Sequence, residues 1–325
     1  NFPFWQVFRF AAPALMAGNV CLLKHAQNVA GCAQEIERIF TEAGAPVGVF
    51  QNLFVSHGQV EKIISDPRVR GVTLTGSGRA GSIVGAQAGR AVKPCVLELG
   101  ANDGFIVMPS ADMDAAIEAA VKARTQNNGQ SCIAGKRFFV HQDIYSEFRD
   151  RFVAAFEALK VGDPMDRSVD IGPIATQSGL RELGEQVSQA EKVGAHTLIG
   201  AKEIDGPGFF FQPGILDNVA CNSPMYREEV FGPVAALIEA TNLTDAIRKC
   251  NDSYYGLGSV LFTQDEGEMA RACEEIESGA TFINQMVVSD PRLPFGGVKE
   301  SGIGRELGVE GMRAFQNTKT ISRPV

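Results

Sequence analysis

Strand-length apolar runs that alternate with helical patterns predict an α/β chain made of two doubly wound parallel-sheet domains. Three observations carry this. The alternation persists through most of the 325 residues. A chain of that size exceeds what a single core ordinarily serves. With 45% hydrophobic and 21% charged residues, there is ample apolar material to bury.

The first series opens with a short strand at residues 20–23. Asn28 stands where it can cap a helix whose Val29, Cys32, Ile36, Phe40 and Ala43 recur at helical spacing, and Gly44 ends it. Residues 49–55, 72–75 and 92–99 read as further strands, with helices expected to begin near Gly58 and Arg79. A second series begins with a strand at 105–108 and a helix from Asp112, in which Met113, Ala116, Ile117, Ala120 and Val121 form one apolar stripe. Phe148, Phe152, Phe156 and Leu159 mark another amphipathic helix, and later strands fall at 234–238, 259–262 and 280–283. The Gly- and Pro-rich stretches 205–214 and 291–304 read as surface or active-site loops.

Charge excludes two classes of partner. Thirty Lys and Arg against 38 Asp and Glu give a net charge of −8, and no basic run exceeds two residues. Neither nucleic acid nor an anionic membrane surface is expected to bind. The longest apolar stretch, 10–23, is broken by Pro13, Gly18 and Asn19, so no membrane span is expected. Seven scattered cysteines argue against a disulfide framework or a zinc site, and for a reducing, cytoplasmic compartment with no metal.

Three segments can carry chemistry. Residues 73–81, Thr-Leu-Thr-Gly-Ser-Gly-Arg-Ala-Gly, form a Gly-rich turn between a strand and a helix, where backbone amides can face a pyrophosphate. The usual GxGxxG spacing is lacking, so on these residues alone an ordinary strand-to-helix turn is the better reading. Cys132 sits in the polar, Gly-containing segment Asn127-Asn128-Gly129-Gln130-Ser131-Cys132, where a thiolate can be exposed and stabilised. Cys21, Cys32, Cys95, Cys250 and Cys273 suit small buried positions. Glu98 lies at the end of an apolar strand, where desolvation raises a carboxyl group's pKa toward the range useful to a general base; a structural salt bridge is the alternative.

Together with NFPFW at the start, Leu23-Lys24, EEVFGP and PFGGVKESGIGRE, these segments resemble the aldehyde dehydrogenase superfamily, from Asn1 to the last strand. Their order and spacing are specific: 34 residues separate Glu98 from Cys132, and 97 separate Cys132 from Glu229. The resemblance implies an aldehyde dehydrogenase-like pair of domains. Residues 1–99 would be the remaining part of a Rossmann-like cofactor domain, 100–301 a catalytic domain, and 302–325 a return segment ending in a subunit-joining strand at 318–323. Cys132 would be the nucleophile, Asn1 an oxyanion-hole donor and Glu98 the base that activates water. For NAD or NADP it implies Lys24 and Gln27 at the adenine ribose, and Gly76, Ser77 and Gly81 at the pyrophosphate turn. Leu99, Glu229 and Phe231 would serve the nicotinamide end.

The chain looks most like the bacterial succinate-semialdehyde dehydrogenases. That implies Arg9, with Ser289, gripping the substrate's distal carboxylate in a pocket otherwise lined by Phe2, Phe4 and Trp5. Alternatives are another short or carboxylated aldehyde, such as glutarate semialdehyde, or a non-catalytic truncated relative. Several positions depart from the wider pattern. His25 replaces a proline, and Gln27 stands where strictly NAD-dependent members carry Glu, which leaves the cofactor open between NAD and NADP. Ala101 replaces a glycine whose backbone a Cβ can crowd, Gly104 replaces a proline, and Gln126 replaces an arginine found in some relatives. Roughly the first hundred-odd residues of a typical member are absent, so the chain as given is expected to be inactive, and a homodimer or homotetramer is expected when complete.

Overall fold

The computed structural model describes residues 1–324, which divide into two compact units. The first unit holds Phe2–Leu99, Ser289–Gly296 and the chain from Gly302 onward. In order, its elements are α1 (Trp5–Met16), β1 (Cys21–Leu23), α2 (Ala30–Glu42), β2 (Phe50–Asn52), α3 (His57–Ser65), β3 (Val72–Thr75), α4 (Gly78–Arg90) and β4 (Cys95–Glu98). Helix α1 forms because Val7, Ala11 and Ala14 recur on one face, and that stripe is buried with Cys21, Ile36 and Phe50. Phe40 of α2 stacks on Phe50 at 4.7 Å between centroids. Strands β1 and β2 pair in parallel, as do β3 and β4 with Thr75 opposite Glu98.

The second unit holds Asn1, Gly100–Val288 and Gly297–Ser301. It runs β5 (Gly104–Val107), α5 (Met113–Thr125), β6 (Arg137–His141), α6 (Tyr145–Glu157), α7 (Gln177–Lys192), β7 (His196–Ile199), β8 (Gly214–Asp217) and α8 (Pro224–Arg227). It continues with β9 (Val234–Ala240), α9 (Leu243–Asn251), β10 (Tyr255–Gly256), β11 (Gly258–Phe262), α10 (Glu266–Glu275), β12 (Ala280–Ile283) and β13 (Val298–Lys299). Seven strands make one sheet in the order β12-β11-β5-β6-β9-β8-β7, parallel throughout except β7. Its central strands are buried on both faces, which is why they read as continuous apolar runs rather than alternating ones. Period 2 still sorts their side chains. Phe105, Phe138 and Phe262 stack on one face, where Phe138 meets Phe152 of α6. Ile106, Phe139 and Leu261 join the cluster that holds Leu183 of α7 and Ala246 of α9.

The chain then returns to the first unit as β14 (Gly302–Ile303), antiparallel to β4, and α11 (Gly308–Arg313). Three expectations need correction. The strand expected over 318–323 is not formed within the chain, since no neighbouring strand there offers it a ladder. The strand expected at 92–99 starts only at Cys95, because Val92 adopts φ 54° in closing α4 and Pro94 has no N–H to give a ladder. Asn28 lies inside a 3₁₀ turn, Gln27–Val29, and does not cap α2. Helix α5 does begin as expected, with the Asp112 side chain accepting from Ala115 N.

Candidate active site

In the first unit, Glu98 ends β4 with 2% of its surface exposed, and neither carboxylate oxygen finds a hydrogen-bond partner among the described residues. Burial pushes its pKa well above the usual carboxylate range, and the neighbouring Glu306 adds to this; Arg9 and Arg305 oppose it. Backbone packs closely around it. Gly296 has φ +154°, and a Cβ there would lie 2.6 Å from Glu98 Oε1. Glu98 is therefore a desolvated carboxyl group that takes part in no salt bridge among the described residues.

Arg9 departs from expectation. Its guanidinium is buried, donating from Nε to Glu306 Oε2 at 2.7 Å and from Nη2 to Thr75 Oγ1 at 3.3 Å, and lying over the Phe295 ring at 4.1 Å. Glu306 also accepts from Thr73 Oγ1, and reciprocal backbone bonds with Phe295 hold it in place. The fork expected to meet a substrate carboxylate thus already meets a carboxylate of the chain. Ser289 Oγ accepts from Trp5 Nε1 at 3.0 Å, which leaves its own hydroxyl hydrogen to donate.

The expected cofactor residues of this unit sit on successive β-to-α connections. Lys24 Nζ donates to His25 O, and the His25 ring is tied to Pro3 O at 2.8 Å. Gln27 is exposed. Ser77 caps α4 with its side chain accepting from Ala80 N, and that helix's first turn contains Arg79 and no acidic residue. A Cβ added at Gly78 would meet nothing within 4 Å, whereas one at Gly81 would strike Leu99 at 2.4 Å. Leu99 therefore packs onto α4, and the open helix start, with Lys24, fits a dinucleotide's phosphates and ribose.

In the second unit, Cys132 is partly exposed in the connection from α5 to β6. This stretch cannot continue the helix, because Asn127 and Asn128 take φ 54° and 56° and Gly129 follows at 72°. Only glycine fits at 129, where a Cβ would lie 2.3 Å from the Gly232 carbonyl. Asn128 holds the bend from its side chain, accepting from Gly172 N and donating to Pro173 O. Asn1 Nδ2 donates to Gln130 O at 3.0 Å, which fixes the expected oxyanion donor on the nucleophile loop.

Glu229 accepts from Ala101 N at 3.1 Å and lies 3.6 Å from Lys136 Nζ. Burial raises its pKa, with Lys136 the chief opposing influence. Ala101 is fully buried and is not among the positive-φ residues, so its Cβ is accommodated without strain. Gly104 has a steric reason of its own, since a Cβ there would meet Cys250 Sγ at 2.5 Å. Phe231 is largely exposed.

Sequence reasoning missed five buried charges: Asp103, Arg124, Lys136, Arg137 and Glu306. Each lies within or beside an apolar or motif segment, the signal that had singled out Glu98. Burial pushes Asp103 up to about 7, against the pull of Lys136.

Comparison with known proteins matches the profile of the aldehyde dehydrogenase family over residues 1–321. The chain belongs to the aldehyde dehydrogenase family. It is 54% identical over 321 residues to succinate-semialdehyde dehydrogenase [NADP(+)] 1 of Mycobacterium tuberculosis (strain ATCC 25618 / H37Rv), covering 99% of this chain and 70% of that protein. A Mycobacterium leprae (strain TN) succinate-semialdehyde dehydrogenase [NADP(+)] is 53% identical over the same shares. The crystal structure of succinic semialdehyde dehydrogenase from Streptococcus pyogenes, in complex with NADP+ as the cofactor, superposes with a TM-score of 0.97 at 38% identity. That match covers 100% of this chain and 71% of the other. Family membership accounts for the α/β fold and for an NAD(P)-dependent oxidoreductase. No helix among the described residues is long and apolar enough to cross a membrane.

Proposed function

We propose that this aldehyde dehydrogenase oxidises succinate semialdehyde to succinate with NADP as acceptor. The observation that carries the reading is 54% identity, across 99% of the chain, to enzymes of that specificity. Cys132 Sγ attacks the aldehyde carbon to give a thiohemiacetal, whose oxyanion takes hydrogen bonds from the Asn1 side-chain amide and the Cys132 N–H. Lys24, Gln27, Gly76, Ser77 and Glu229 would hold the dinucleotide, with Gly81, Leu99 and Phe231 shaping its surroundings, and when bound it would supply the hydride acceptor. A thioester on Cys132 remains. Glu98 takes a proton from water, the resulting hydroxide attacks the thioester carbon, and the carboxylate product leaves as the thiol re-forms.

For the distal carboxylate, Ser289 has a hydroxyl hydrogen to donate, while Arg9 frames the site through Glu306. One hydrogen bond to a charged group stabilises by roughly 1.5–3 kcal/mol, so kcat/KM for succinate semialdehyde should exceed that for butanal by about ten- to a hundredfold. Equal values for the two aldehydes in steady-state assays would defeat the substrate assignment. Seven scattered cysteines support a cytoplasmic location, and a homo-oligomer is expected.

The neutral Gln27 sets the cofactor. It lacks the charge that would repel a 2′-phosphate, and Lys24 can meet that group, so Gln27→Glu should lower kcat/KM for NADP on the order of tenfold or more while sparing NAD. An unchanged NADP-to-NAD ratio would put the 2′ contact elsewhere.

A further inference from the structure

From Gly129 to Cys132, every backbone carbonyl accepts from a side chain. Gly129 O takes Arg124 Nη2 at 2.6 Å, and Gln130 O takes Nδ2 of both Asn1 and Asn127 at 3.0 Å. Ser131 O takes Lys136 Nζ at 3.0 Å, and Cys132 O takes the same ammonium. The left-handed run at 127–129 removes this loop from any helical ladder, so its carbonyls depend on such donors. Lys136 holds two of them, including that of the proposed nucleophile's own residue. It is also a 1% exposed cation, and the proposed chemistry does not use it.

A lysine buried to that degree, and matched to Glu229 at 3.6 Å, carries a large desolvation cost that two carbonyl contacts alone do not explain. We propose that Lys136 is the positioning residue of the nucleophile: its ammonium clamps the Ser131 and Cys132 carbonyls, anchors them to Glu229, and supplies the positive charge that favours the Cys132 thiolate. The proposal rests on Cys132 being the nucleophile. The charged and titratable groups facing Lys136 are Glu229, Asp103, Arg124 and Cys132. Burial lowers the Lys136 pKa, while Glu229 and Asp103 pull it back up.

The test is the pH dependence of Cys132 alkylation by iodoacetamide in the full chain, read by peptide mass mapping. Removing an opposite charge at this range moves a thiol midpoint upward by about one pH unit, so Lys136→Met should slow labelling about tenfold below the midpoint. Lys136→Gln, which can keep a carbonyl contact but not the charge, should shift the midpoint likewise. Glu229→Gln removes the opposing charge and should shift it downward. A folded Lys136→Met with the wild-type midpoint would overturn the proposal. If neither lysine variant folds, an unmoved or raised midpoint in Glu229→Gln would overturn it. Failure of a different kind is recognisable: if wild-type Cys132 is not labelled ahead of the other six cysteines, the nucleophile assignment itself falls, and the proposal with it.

Discussion

Cys132→Ala is expected to reduce aldehyde oxidation to background, a loss on the order of 10⁶-fold on the scale set by removing a covalent nucleophile. The physical reason is local. Cys132 sits in a connection whose backbone is fixed by three left-handed residues and by side-chain donors to successive carbonyls, so the thiol is presented in one place. Of the other cysteines, Cys21 and Cys250 are buried and burial drives the thiol pKa of each upward, whereas Cys221 and Cys273 are exposed, against the buried position expected for Cys273. Glu98→Gln makes the complementary prediction. The first half-reaction needs no base at 98, so one equivalent of reduced dinucleotide should appear in a burst, after which turnover stalls by about 10²–10⁴-fold.

The pH profile carries a sign. Burial raises the Glu98 pKa, so the ionised base appears only as pH climbs through that raised value. The steady-state rate should rise across the same interval, and the Gln variant should lose that limb. Full steady-state activity in either variant would remove the assigned role.

Arg9→Ala is expected to destabilise the protein by ~3–5 kcal/mol, the cost of leaving a buried charge without its partner. Glu306 is only 3% exposed; burial pushes its pKa up while Arg9 pulls it down, so the carboxylate depends on that guanidinium. Glu306→Gln should cost a comparable amount. The double variant Arg9→Met with Glu306→Met should recover much of the loss, since an apolar pair of similar volume carries no desolvation cost. Because the fork is filled from within, a folded Arg9 variant should slow succinate semialdehyde and butanal alike. Denaturant titration and parallel steady-state assays read the two effects. A stable Arg9→Ala that loses only the carboxylated aldehyde would show that Arg9 releases Glu306 to bind substrate.

Much of the fold was legible because buried parallel strands are short apolar blocks and their crossover helices carry apolar stripes. The strand at 72–75 and that at 280–283 were located from this pattern alone, and so was the helix from Asp112. Errors gathered where a local conformation overrides composition: Val92 reads as strand but closes a helix in the left-handed region. They also occurred where the partner strand is missing, as at 318–323.

The candidate site divides along the same line. Cys132 and Glu98 were legible because each stands out from its own neighbours, a thiol in a polar Gly-containing turn and a carboxylate in an apolar strand, whereas Asn1 was pointed to only by the family resemblance. The sequence by itself also determined that the chain is a two-series α/β protein with these groups in a specific order, since hydrophobic period and motif spacing are one-dimensional properties. Only the tertiary structure decided which charges face each other. Arg9 and Glu306 are 297 residues apart, and Glu229 meets Lys136 across 93 residues. A buried charge is stable only beside a counter-charge or a set of hydrogen bonds, and that partner is chosen by how strands and loops pack, not by anything within reach along the chain.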